Sequence, residues 1–74
     1  MRMSARNRLP GTVQRVRLGD ILAQIDISVG DNDVTAVITR EAAEELELRE
    51  GDSVFAVVKA TEVMVEKSGF EGSS

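Results

Sequence analysis

At 74 residues and a net charge of -4 the chain has room for one domain, and a domain near this size buries only about 60% of the surface that its unfolded chain exposes. It holds no Cys and no His, which excludes a disulfide staple, a structural zinc and the usual nucleophile-base pairs, so burial between subunits is the remaining common route to stability. The absence of Trp and Tyr, with only Phe55 and Phe70 as aromatics, leaves little on which to stack nucleic-acid bases. No apolar run approaches a signal peptide or a membrane span of roughly 20 residues, so a soluble, cytoplasmic homo-oligomer with no membrane partner is expected.

Residues 1–18 hold Arg2, Arg6, Arg8, Arg15 and Arg17 and no acid, whereas residues 19–74 hold four basic residues against thirteen acids. A basic arm on an acidic chain suits a small anion, held where Arg and backbone donors converge, better than a long polyanion.

Leu9 to Val16 is rich in strand formers, and Pro10-Gly11 confines its start to an edge or a bend. The apolar phase slips between Val13 and Val16, which predicts a bulge. Gly19-Asp20 reads as a tight turn. From Ile21 the alternation of Ile21, Ala23, Ile25, Ile27 and Val29 against Gln24, Asp26 and Ser28 predicts a second strand with one apolar face. Gly30-Asp31-Asn32-Asp33 is the next turn.

Val34 to Thr39 reads as the third strand and Val54 to Ala60 as the fourth. In both, a second apolar set (Val37; Phe55 and Val57) points away from the first, the pattern of strands covered on both faces. A neighbouring subunit is the expected outer cover. Thr39 caps a short helix from about Arg40 to Leu46, with Glu41 in its first turn and Ala42, Ala43 and Leu46 on one side. Leu48 to Asp52 turns the chain into the fourth strand, and Val63-Met64-Val65 is expected as a short fifth. The reading is mainly β: a five-stranded Greek-key barrel of oligonucleotide/oligosaccharide-binding (OB) type, one helix between strands 3 and 4. Residues 1–67 are expected as a single domain and 68–74 as a disordered tail or cloning scar.

Asp20, Asp26, Asp31 and Asp33 lie in or beside turns, where turn chemistry accounts for them. Asp31 and Asp33 lack the ligand spacing of a calcium loop, and no phosphate-cradling loop of Walker type is present. No catalytic residue, no direct metal coordination and no enzymatic activity are expected. What the chain offers is donors: Arg6 and Arg8, Lys59, the hydroxyls of Ser4, Thr39 and Thr61, and backbone N–H groups. An oxyanion, which has only acceptors, needs such a set.

Ser4-Ala5-Arg6-Asn7 followed by Leu9, Gly11 and Val13, and Val58-Lys59-Ala60-Thr61-Glu62-Val63-Met64 near the other end, together resemble the molbindin (Mop) family of small molybdate-binding proteins. Between them, Ala36-Val37-Ile38-Thr39 leads into the helix, and Leu46, Leu48 and Gly51 follow at the family's spacing, so the resemblance spans about Ser4 to Val65. It implies an OB-like barrel assembled as a hexamer, a trimer of dimers, that binds molybdate or tungstate as intact oxyanions at subunit interfaces and uses no organic cofactor. The resemblance places Ser4, Ala5 and Arg6 of one subunit against Lys59 and Ala60 of a neighbour, with a hydroxyl from Thr39. Arg8, Arg15 and Arg17 are left to raise the local potential or to pair with acids across an interface. Three residues after Thr39, relatives often carry a Ser where this chain has Ala42, and a missing neutral hydrogen bond is worth about 1 kcal/mol.

Related domains occur fused to transport ATPases and to a DNA-binding regulator, and these residues contain neither a nucleotide-binding segment nor a helix-turn-helix. A stand-alone molybdenum store or buffer is therefore expected. The rival is a swapped-hairpin DNA-binding regulator or antitoxin-like protein, which Val37 to Val58 also resembles. That likeness explains neither end motif, and the helix acids Glu41, Glu44, Glu45 and Glu47 suit phosphate binding poorly.

Overall fold

The computed structural model describes residues 6–68. Four antiparallel strands, β1 (Arg6–Leu18), β2 (Leu22–Val29), β3 (Asn32–Thr39) and β4 (Ser53–Lys59), form one sheet in the order β3-β2-β1-β4, with a helix α1 (Arg40–Glu45) between β3 and β4. The long first strand organises the sheet, pairing with β4 along its N-terminal half and with β2 along its C-terminal half. Where the two halves meet, the β1–β2 register shifts between Val13 and Arg15, the bulge that the phase slip predicts. A bulge bends its strand and adds twist, which lets one strand serve two partners.

Side-chain alternation decides what is buried. Ala23, Ile25 and Ile27 of β2 form the core with Val13, Ala43 and Ala56, and Val34, Ala36, Ile38 and Val54 pack against them. Two bonds, Val13 N–H to the Asp52 carbonyl at 2.9 Å and Gly51 N–H to the Val13 carbonyl at 2.8 Å, tie the loop before β4 back to the bulge. Gly11 sits where β1 runs tight against β2: a Cβ there would lie 2.5 Å from the Ser28 carbonyl oxygen. β2 and β3 are joined by Gly30-Asp31, with Val29 opposite Asn32 and Gly30 at φ 60°, the positive φ that a two-residue hairpin of type II′ takes at its first position.

Ile21 is 77% exposed because it lies in the β1–β2 turn and not in the strand. Leu46, 65% exposed, is the residue that ends α1 and does not join its buried side; only Ala43 does. The helix closes with Leu48 N–H on the Ala43 carbonyl and Glu47 N–H on the Glu44 carbonyl, and Glu47 takes the left-handed φ of 53° that such a cap requires.

The fifth strand is a correction. Ala60–Glu62 forms a single 3-10 turn, and Val63, Met64 and Val65 carry no strand assignment. Met64 and Val65 are 91% and 94% exposed. A strand exists only against a partner, and along β3 and β4, the two edges of this sheet, none is paired with Val63 to Val65. Between those edges lies an apolar groove of about 270 Å³, with Ile25, Ile27, Ile38, Leu48, Val54 and Val57 among its walls. No helix among the described residues is long and apolar enough to cross a membrane.

Candidate functional site

Of the six residues expected at an oxyanion site, Ser4 and Ala5 lie outside the described residues, as does the expected tail from residue 69 onward. The other four fall at two places. The β1–β4 register sets Arg6 directly opposite Lys59, Arg8 opposite Val57 and Pro10 opposite Phe55. Directly opposed residues of an antiparallel pair share a face, so Arg6, Arg8 and Lys59 stand together on the outer side of the sheet, away from buried Ala56. Ala60 follows Lys59 as the first residue of the 3-10 turn, where the strand ladder stops. The register thus sets Arg6 and Lys59 side by side within one chain.

Two cations directly opposite each other repel and weaken a strand pair. Neither has a carboxylate within ion-pair distance among the described residues, whose two salt bridges are Arg15–Asp26 and Arg40–Glu44. Lysine supplies a compact point charge and arginine a planar fork of donors. An anion with several oxygens, seated between them, would turn the repulsion into two charge-assisted contacts.

Thr39 is elsewhere. It opposes Leu22, its neighbour Ile38 opposes Ala23, and Ala23 opposes Leu18 at the far end of β1 from Arg6. Thr39 therefore lies near the C-terminal end of β1 and the Arg6–Lys59 pair at its N-terminal end. The Thr39 hydroxyl oxygen accepts from the Ala42 backbone N–H at 3.1 Å, so that N–H is already used by the cap and is not free to replace the hydroxyl that a serine at position 42 would offer.

The remaining arginines separate by partner. Arg15 reaches Asp26 at 3.8 Å on the outer face of β1–β2. Asp26 also accepts from Gln24 Nε2 at 3.1 Å and from the Thr35 hydroxyl at 3.3 Å. The Gln24 bond, then the Thr35 bond and the charges of Arg15 and Arg17, hold its carboxyl below the usual carboxylate range against the opposing cost of desolvation. Arg40 donates to the Gly19 carbonyl and to Glu44, pinning α1 to the β1–β2 turn. Arg8 has a different neighbour: its guanidinium carbon lies 4.5 Å from the centre of the Phe55 ring. Its place beside Arg6 follows from alternation, since residues two apart on a strand share a face; its place beside Lys59 needs the β1–β4 register. Among the described residues no group of three or more Asp or Glu side chains gathers to hold a metal ion.

A family model for the TOBE domain matches residues 3–65. The chain belongs to the TOBE-domain family, on its Mop branch. It is 39% identical over 66 residues to molybdenum-pterin-binding protein 1 of Clostridium pasteurianum, covering 88% of this chain and 97% of that one. It is 44% identical over 73 residues to molybdenum-pterin-binding protein MopA of Rhodobacter capsulatus, where it spans 97% of its own length but only 28% of the relative's. Among solved structures, a molybdate binding protein from Sporomusa ovata superimposes with a TM-score of 0.83 at 39% identity, over 90% of this chain and all of that one. The cytoplasmic molybdate-binding protein ModG gives a TM-score of 0.72 at 39% identity, over 81% of this chain and 43% of that one. These neighbours have the OB fold expected from the strand pattern. Both end motifs fall within the matched span of residues 3–65, so the family accounts for the two segments that the DNA-binding rival leaves unexplained.

Proposed function

We propose that the chain binds molybdate, or tungstate, as an intact oxyanion whose oxygens are held by Arg6, Lys59, Ser4 and the backbone of Ala5 and Ala60. Thr39 of another copy supplies its hydroxyl to a site completed between subunits. The observation that carries this reading is the Arg6–Lys59 pair, two cations set face to face by the register with no carboxylate partner among the described residues. The names of the relatives supply the ion: proteins similar over nearly their whole length are described as molybdenum-pterin-binding or molybdate-binding. The protein contacts oxygen and not metal, which is why a chain with neither His nor Cys can do it.

Binding and release without chemistry fit a store that keeps molybdenum available in the cytoplasm. Assembly into a trimer of dimers is part of the proposal. Its support is the apolar groove between the edges of β3 and β4, the half-exposed Phe55 and Val57 on the outer face, and the unpaired Val63-Met64-Val65. Each is apolar surface that a second copy would cover.

Equilibrium dialysis of the purified oligomer against molybdate, tungstate, sulfate and phosphate tests the reading. Saturable binding of molybdate or tungstate, tighter than that of sulfate and phosphate, is expected; equal retention of all four ions would overturn it. In a gel shift with mixed-sequence DNA at low salt, the proposal expects no retarded band, and salt-sensitive retardation would favour the regulator.

A further inference from the structure

Arg8 lies one same-face step from the Arg6–Lys59 pair, since Arg6 opposes Lys59 and Arg8 opposes Val57. It is the arginine of the arm whose side chain rests on an aromatic ring and not on a carboxylate: the guanidinium is 4.5 Å from the Phe55 ring centre, while Arg15 pairs with Asp26. Stacking on a ring engages the face of the guanidinium and leaves its in-plane N–H donors free.

Building on the oxyanion reading, we propose that Arg8 is a third cation of the site, a specificity-determining residue that rests on Phe55 and can turn its donors to the anion. Two residues along a strand are roughly 6.6 Å apart, within the reach of an arginine side chain. An ion seated between Arg6 and Lys59 can therefore be met by Arg8 through side-chain rotation alone. An exposed cation–π contact is weaker than a charge-assisted hydrogen bond to an oxyanion, so the exchange favours the ion. Holding the guanidinium on one ring also reduces the rotamer freedom lost on binding. A third cation favours a doubly charged oxyanion over a singly charged one, because the attraction of each cation scales with the charge it meets.

The test uses the full-length oligomer and molybdate itself. Arginine side-chain nitrogen spectra of the wild-type protein should show the Arg8 Nε resonance, and the Phe55 ring protons with it, shifting as molybdate is added and saturating with the site. In calorimetry Arg8→Gln should weaken molybdate binding about tenfold, and Arg8→Lys, which keeps the charge but not the fork, should recover part of that loss. Loss of affinity in Arg8→Gln with unchanged oligomer size and melting temperature supports the proposal. If that variant disassembles, the wild-type spectra decide. An Arg8 resonance that does not move at saturation, or Arg8→Gln binding within twofold of wild type, overturns it and leaves the Arg6–Lys59 site standing. Wild-type protein that binds no molybdate overturns the oxyanion reading instead.

Discussion

From Thr12 to Leu18, β1 lies against β2 above a core of Val13, Ala23, Ile25 and Ile27; from Arg6 to Gly11 the same strand lies against β4, with Arg6, Arg8, Lys59, Phe55 and Val57 on its outer face. The first half is built for burial and satisfied hydrogen bonding. The second places like charges together and leaves apolar side chains half exposed, an unfavourable arrangement that the proposed anion and second copy would relieve. A strand split in this way lets folding and binding be perturbed separately, and the bulge at Val13–Arg15 and the close approach at Gly11 mark the division.

The largest expected effect is on the folding half. Ile25→Ala removes a side chain that is 2% exposed and should cost about 3 kcal/mol of stability, read from urea unfolding at fixed protein concentration. Gly11→Ala, at the boundary, drives a Cβ against the Ser28 carbonyl at 2.5 Å and should cost about 2 kcal/mol by forcing β1 and β2 apart. On the binding half, Lys59→Ala should weaken molybdate binding at least about tenfold, ~1.4 kcal/mol, while the empty protein melts no lower than wild type, since a repulsive pair has been removed. A fall in melting temperature of the empty Lys59→Ala protein would show that the two halves are not separable.

Smaller effects refine the folding half. Glu47 holds a left-handed φ of 53°, so Glu47→Gly should stabilise the protein by about 0.5 kcal/mol in thermal or urea unfolding. Asp26, whose folded pKa is lowered chiefly by the Gln24 hydrogen bond, favours the folded state while it is ionised. Its contribution is full above the unfolded carboxyl pKa of about 3.9 and is lost as pH falls through the lower folded value, because the unfolded chain takes up the proton first. Asp26→Asn should therefore lower stability at neutral pH and converge with wild type in acid; a difference that persists unchanged at the lowest pH would contradict that role.

Much of the folding half was legible in the order of residues. The run Ala23, Ile25, Ile27 has a period of two with polar residues between, and such a run can bury one face in only one register. Thr39 followed by an acidic first turn likewise announces the helix start, and the slip from Val13 to Val16 announces the bulge. Val63-Met64-Val65 was less tractable, because propensity describes a segment and not its partner: an extended apolar triplet becomes a strand only against an open edge. Leu46 and Ile21 have apolar side chains at the right period, but each sits just past the end of its element, where the backbone turns outward. On the binding half, Lys59 and Arg6 were found through the end motifs, yet that they face each other inside one chain follows from the β1–β4 register, which pairs residues more than fifty positions apart. Arg8 was left to raise the local potential or to pair with acids across an interface, because its relation to Phe55 depends on the same pairing.

The division of β1 and the oxyanion assignment meet in one experiment, titration calorimetry of molybdate and of sulfate into the wild-type protein and into the double variant Arg6→Ala, Lys59→Ala. Saturable molybdate binding to wild type, weaker or absent sulfate binding, and no detectable heat from a double variant that keeps its size and melting temperature is the expected result. A double variant that binds molybdate as wild type does, or a wild type that takes up sulfate as readily as molybdate, would contradict it.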